Sequence, residues 1–211
     1  MIFEFWGPRA CFTRPELKVE RYSYDIPTPS ALRAMISAIY WHPSIEWKID
    51  RIHVLNPIRS EIIKRNEINK RTPRINDPAE VYKSVIYIDS DTREPRTSRI
   101  LIDVHYVIEA HFAMTDKCSP DDTPGKVCAI VSRRLEKGQC FSTPYFGCRE
   151  FSAFFRQWLD GEEIPAIHED RDFGLMLYDL DYSNPDCITP LYFHAVMKNG
   201  VIDVSSAEVL R

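Results

Sequence analysis

Residues 24–43 (YDIPTPSALRAMISAIYWHP) narrow the fold more than any other part of the chain, because they specify one capped helix with an apolar side to bury. Thr28 or Ser30 can accept hydrogen bonds from the free amides at the helix start. Pro29 suits the first turn, where its missing N–H would be unpaired anyway. Leu32, Met35, Ile36 and Ile39 recur at helical spacing and make one stripe. Pro43 cannot continue a helix and pushes His42 toward an extended conformation, so the helix ends near Tyr40-Trp41. A phenol, an indole and an imidazole therefore cluster where a buried helix surfaces. That placement serves a site and an ordinary core edge equally well.

Strand signals flank this helix. Residues 2–6 read as a first strand, broken by Gly7-Pro8 and resumed over 10–13; residues 45–55 alternate as a strand with one wet face. Residues 58–69 are basic and suit a further, irregular strand. Residues 70–97 are polar, hold Pro73, Pro78 and Pro95, and read as a long loop with room for one short strand at 85–88. Residues 99–114 carry the longest strand signal, with Val104, Tyr106, Ile108, Ala110 and Phe112 alternating against His105, Val107, Glu109, His111 and Ala113. Residues 126–137 read as a second helix, with Val127, Ile130, Val131 and Leu135 on one face and Gly138 at its end. Residues 140–151 look strand-like and 154–172 look like loop or partial helix. Residues 173–182 and 191–197 are two good strands, and Lys198-Asn199-Gly200 is a hairpin turn into 201–204.

The order β, α, β, (β), loop, β, α, β fits a ferredoxin-like sheet with two helices on one face. The expectation is an α+β chain: a ferredoxin-like unit over residues 1–151 and a small antiparallel sheet over 152–211.

With 211 residues and a hydrophobic fraction of 44%, the chain can bury a real core. No apolar run reaches bilayer-spanning length, and the N-terminus lacks the basic region and apolar core of a signal peptide, so a soluble, cytoplasmic protein is expected. The six cysteines include no C-x-x-C pair, which argues against structural zinc and for free buried thiols. The net charge of −4 does not announce a nucleic-acid partner, but its distribution is uneven. Lys48, Arg51, Arg59, Lys64, Arg65, Lys70, Arg71 and Arg74 face only Asp50, Glu61 and Glu67 in the same stretch. Such a segment on an acidic protein is ordinarily a solvated face. As a binding surface, Arg59, Lys64, Arg65, Lys70 and Arg71 are its candidates by charge alone.

Phosphate-cradling glycine loops, H-E-x-x-H pairs, the G-x-S-x-G elbow and the aromatic RNA-stacking signature are all absent. His105 and His111 share a strand face but stand about 20 Å apart, too far to ligate one metal. What remains is Tyr40, Trp41, His42, Lys126 and the basic segment around Lys64-Arg65. If both helices cover one sheet face, the end of the first approaches the start of the second. A tyrosine with a lysine can cut RNA without metal, one group helping to deprotonate a 2′-OH and the cation stabilising the phosphorane. Free phenols and alkylamines titrate at about pH 10, so such a pair needs help from its surroundings. A lysine at a helix start also opposes the helix dipole, a small hint that something other than stability put it there.

The runs ACFTRPELKVERYSY at 10–24, PTPSA at 27–31 and IYWHP at 39–43 resemble the CRISPR-associated protein of type I-C systems, in the fifth Cas family of the RAMP superfamily. Arg65-Asn-Glu67, Arg96-Thr-Ser98, DVHYVIEAHF at 103–112, RRLEKGQCFSTPYFGCREF at 133–151 and VMKNGVI at 196–202 extend the likeness over nearly the whole chain. The resemblance implies the same two-part fold. It also implies a metal-independent endoribonuclease, without cofactor, that cuts the repeat hairpin of precursor CRISPR RNA. A 2′-OH attack would leave a 2′,3′-cyclic phosphate and a 5′-hydroxyl, and the protein would stay on the 5′ handle as a subunit of the interference complex. It implies Tyr40 and Lys126 as catalytic residues. The family commonly follows that lysine with histidine; here Val127 stands there, and His42 is the substitute nearest by sequence logic. The alternative is a non-catalytic subunit that only holds the 5′ handle.

Overall fold

The computed structural model describes residues 1–17, 19–69, 89–159, 161–184 and 186–211. Its elements in chain order are β1 (Ile2–Ala10), α1 (Pro29–Ile39), β2 (Ile45–Val54), β3 (Arg59–Ile68), β4 (Arg93–Met114), α2 (Pro124–Glu136), β5 (Phe154–Gln157), β6 (Arg171–Asp181), β7 (Thr189–Lys198), β8 (Val201–Asp203) and β9 (Val209–Leu210). One antiparallel sheet runs β5-β1-β4-β2-β8-β7-β6, with β3 added along β4 and β9 along β7. The fold is thus α+β, with two helices on a largely antiparallel sheet.

α1 forms where its sequence asks. Thr28, rather than Ser30, is the cap, its side chain accepting from the Ala31 amide at 3.2 Å. Leu32, Met35, Ile36 and Ile39 are buried, and Tyr40 leaves the helix in an extended conformation. α2 is capped by Thr123, buries Val127, Val131 and Leu135, and ends at Gly138 with φ of +61°. The Gln139 amide donates to the Arg134 carbonyl and the Gly138 amide to that of Leu135, the paired bonds of a Schellman ending. Both stripes enter one apolar cluster with Phe3, Phe5, Trp47 and Ile108 of the sheet, and Met176, Phe193, Met197 and Ile202 of the C-terminal strands join the same cluster.

β4 is the spine. Its even-numbered residues from 104 to 110 face this core, as the alternation predicts. Its other face carries His105 bonded to Glu4, Glu109 to His53 and His111 to Asp50. β4 begins at Arg93, earlier than its apolar pattern suggested, because residues 93–102 pair with β3 in an arm whose faces are largely polar.

Three further expectations change. β1 continues through Gly7-Pro8: its pairing with β4 skips Pro8, and β5 covers its other edge only as far as Trp6, so no neighbour requires the absent N–H. Residues 140–151 form turns held by one bridge between Tyr145 and Ser152, and β5 follows where loop or helix was expected. The expected strand at 85–88 lies outside the described residues. The turn at Asn199-Gly200 is as predicted, both residues having positive φ between the paired Lys198 and Val201. Among the described residues no helix is long and apolar enough to cross a membrane.

Candidate RNA-processing site

The exit of α1 and the loop entering α2 are tied together by backbone. Thr115 donates its amide to the Ser44 carbonyl at 2.8 Å and its hydroxyl to the Pro43 carbonyl at 2.7 Å. The Cys118 thiol reaches the same Ser44 carbonyl at 3.4 Å. This zipper brings the two ends of the sequence-predicted site onto one rim.

His42 is half-buried, and its Nδ1 accepts from the Ser44 amide at 3.3 Å and meets the Ser44 hydroxyl at 2.7 Å. Accepting at Nδ1 leaves Nε2 to carry the ring proton. Lys126 lies in the first turn of α2 and is exposed, its ammonium donating to the Asp121 carbonyl at 3.3 Å. Asp122 stands in the loop that enters α2, and its carboxylate is bound within that loop. The main hold on that carboxylate is the Ser119 amide at 3.0 Å and hydroxyl at 2.9 Å, which together keep it below the usual carboxylate range.

Tyr40 has a different neighbour. The Arg134 guanidinium stands 5.1 Å from its ring centre and donates to the adjoining Ile39 carbonyl. The indole N–H of Trp47 donates to the Tyr40 carbonyl at 3.0 Å. Arg134 follows Lys126 by about 12 Å along the helix axis at ~1.5 Å per residue. The zipper thus sets His42 near the loop that leads to Lys126, while Tyr40 stacks on Arg134 further down the same helix. Val127 is 3% exposed and packs in the core, so position 127 does not face this rim.

Part of the basic segment is already paired with carboxylates. Arg59 pairs with Asp103 at 2.7 Å, while Arg65 pairs with Glu150 and bonds the Ser98 hydroxyl at 3.3 Å. Lys64 is exposed and makes no ion pair with any described residue. Lys70 and Arg71 lie outside the described residues.

Sequence reasoning missed Asp122 and Arg134. Asp122 sits in a polar loop with no periodicity. Arg134 reads as an ordinary late-helix cation until the fold brings α1 against it. Also missed was a groove of about 580 Å³ along the outer side of α1, bounded by Trp41, Arg134, Phe141 and Tyr145.

A family model described as CRISPR-associated protein (Cas_Cas5) matches residues 1–205. The chain is 47% identical over 208 residues to a protein of Mannheimia succiniciproducens named CRISPR pre-crRNA endoribonuclease Cas5d, covering 94% of this chain and 92% of the relative. It is 37% identical over 216 residues to a Thermus thermophilus protein of the same name, covering 94% and 88%. Among solved structures, a CRISPR-associated protein superposes with a TM-score of 0.74 at 24% identity, covering 100% of this chain and 95% of the other. A Streptococcus mutans protein described as functionally uncharacterized gives 0.71 at 24%, covering 100% and 96%. At that identity the structural likeness speaks for the fold alone.

Proposed function

The chain belongs to the CRISPR-associated Cas5 family, and on that premise we propose that it is a metal-independent endoribonuclease that cleaves the repeat hairpin of precursor CRISPR RNA. The observation that carries this reading is the junction at which the exit of α1, with Tyr40 and His42, is hydrogen-bonded to the loop that leads into α2 and Lys126. The relatives at 47% and 37% identity are named for this activity.

In the proposed mechanism the 2′-OH attacks the adjacent phosphate. Tyr40 helps to take the proton from the 2′-OH, His42 with its proton on Nε2 can supply one to the departing 5′ oxygen, and Lys126 stabilises the charge that grows on the phosphorane. The products carry a 2′,3′-cyclic phosphate and a 5′-hydroxyl, and the protein remains on the 5′ handle within the interference complex. Lys64, with Arg59 and Arg65 once their carboxylate partners yield, would meet phosphates. The strand order β5-β1-β4-β2, with α1 joining β1 to β2 and α2 joining β4 to β5, supports reading residues up to Gln157 as a ferredoxin-like unit. The remaining strands then form an appended antiparallel unit on the edge of β2.

A second reading, a handle-binding subunit without catalysis, draws on the buried Val127 where the family commonly has histidine. Incubation with the cognate repeat RNA in excess EDTA separates the two. Cleavage to cyclic-phosphate ends is expected; an uncut but bound hairpin would sink the nuclease reading. Full activity in both Tyr40→Phe and Lys126→Ala would sink the site.

A further inference from the structure

We propose that the groove between α1 and the segment at 139–147 is a nucleobase-binding site, which takes one unpaired base of the RNA next to the phosphate presented to Tyr40 and Lys126. The proposal deepens the nuclease reading and rests on it for the identity of the RNA.

The groove has a small floor and tall walls. Ala34 and Ala38 of α1 line its base, while Trp41, Phe141 and Tyr145 stand around it. These rings are 62%, 84% and 39% exposed in a protein that buries Phe3, Phe5 and Phe146 completely. Three large aromatic side chains gathered around one exposed concavity mark a surface that something covers.

The backbone that carries Phe141 and Tyr145 is also held in place. The Phe141 and Ser142 amides both donate to the Ala38 carbonyl, at 2.9 and 3.1 Å. Phe146 anchors the segment in the core, and its carbonyl accepts from the Cys11 amide at 3.0 Å. Gly147, at φ of +76°, passes so close to Cys11 that a Cβ would overlap its carbonyl oxygen. The cavity is thus built in advance of any ligand, which lowers the ordering cost of binding.

The lining chemistry selects the occupant. Among the described residues that line it, Arg134 is the one charged side chain and none is a carboxylate. Aromatic planes with a guanidinium suit a flat π-system joined to an anion, which is a nucleotide. Splayed RNA bases are recognised by stacking on aromatic rings and arginine planes. Position agrees with chemistry: Arg134 touches both the groove and the Tyr40 ring, and Trp41 lies between Tyr40 and His42 in the chain.

The test reads binding and is independent of cutting. Cognate repeat RNA is made with 2′-deoxyribose at its unpaired positions, and each unpaired base in turn is deleted to an abasic site. Dissociation constants are then compared for the wild-type chain, Phe141→Ala and Trp41→Ala/Phe141→Ala, with thermal melting to verify folding. Phe141→Ala alone suffices if the double variant melts early, since that ring is outside the core. One abasic position is expected to weaken wild-type binding about 5- to 150-fold, the equivalent of ~1–3 kcal/mol of base–aromatic stacking. That penalty should shrink or vanish in the variants. No penalty at any position, or equal penalties in all three proteins, overturns the base site, while cleavage of all-ribose repeat by the wild type separately upholds or sinks the nuclease reading. Unchanged RNA affinity with failed assembly of the variants into the interference complex would make the groove a protein-docking face and also overturn the proposal.

Discussion

Lys126 and Tyr40 contact different parts of one helix, and this spacing sets what single substitutions should do. Tyr40→Phe removes only a hydroxyl and keeps the stack on Arg134, while Lys126→Ala removes an exposed ammonium. Each is expected to slow repeat cleavage by roughly 10²–10⁴-fold, the usual worth of positioned proton transfer or charge stabilisation, while the melting temperature hardly moves. Single-turnover cleavage of labelled repeat measures the first and calorimetry the second; a fall in activity matched by lost stability would contradict the assignment. Asp122 gives a pH prediction. Its folded value lies below the unfolded one, chiefly through the Ser119 hydrogen bonds. Its contribution to loop order is therefore complete above the unfolded carboxylate value of about 3.9 and lost as pH falls through the lower folded value. A carboxyl NMR titration should place its midpoint below about 3.9, and an ordinary midpoint would show that the Ser119 contacts do not hold in solution. Tyr40, His42 and Lys126 were nameable from the chain through helix punctuation and family likeness. Asp122 was not, since its contacts to Ser119 lie in a polar loop that no residue pattern marks.

The helices are the elements most completely written in local chemistry, and their energetics can be tested locally. Thr123→Ala removes the cap of α2 and should cost about 0.5–2 kcal/mol, lowering the melting temperature by about 2–4 °C per kcal/mol in a chain of this size. Val127→His places an imidazole in the core of the same helix. It is expected to destabilise by about 2–4 kcal/mol without raising cleavage, read by denaturant unfolding beside the nuclease assay; a gain in activity would mean that position 127 reaches the rim after all. Gly147→Ala forces an alanine into left-handed backbone against Cys11, costing about 1–3 kcal/mol for the backbone alone. The strands were less legible. Apolar alternation found the core half of β4 and missed its arm, because a hairpin wet on both faces has no hydropathy period to detect. The 140–151 segment misled for the opposite reason: Phe141 and Tyr145 look like strand residues but line a groove, while Phe146 is fully buried in the core.

Across the whole molecule, β8 joins β2 to β7, so strands from both ends of the chain share one sheet. Arg33 of α1 pairs with Asp179 of β6 at 2.7 Å, and residues from both parts share one apolar cluster. Unfolding is therefore expected as a single cooperative transition, with near- and far-ultraviolet dichroism coinciding; two resolved transitions would support independent units divided near residue 151. The chain's charge is −4, yet RNA binding should weaken steeply with salt, because phosphate contacts depend on local cations. Lys64→Ala should reduce the slope of log K against log salt by about 0.7–0.9, one phosphate's worth. An unchanged slope would remove Lys64 from the interface.

From the sequence alone came the two helices with their stripes, the cap region of α1, the glycine that ends α2, the long alternating strand, the Asn-Gly hairpin and the family. Each of these is carried by residues close together in the chain or by the resemblance itself. The tertiary structure decided the rest. It joined the C-terminal strands to the edge of β2 and gave Arg51, Arg59 and Arg65 carboxylate partners. It also set Arg134 under Tyr40 and opened an aromatic groove beside it. These are meetings between residues far apart in sequence, where pairing register and packing choose the neighbour and no local pattern records the choice.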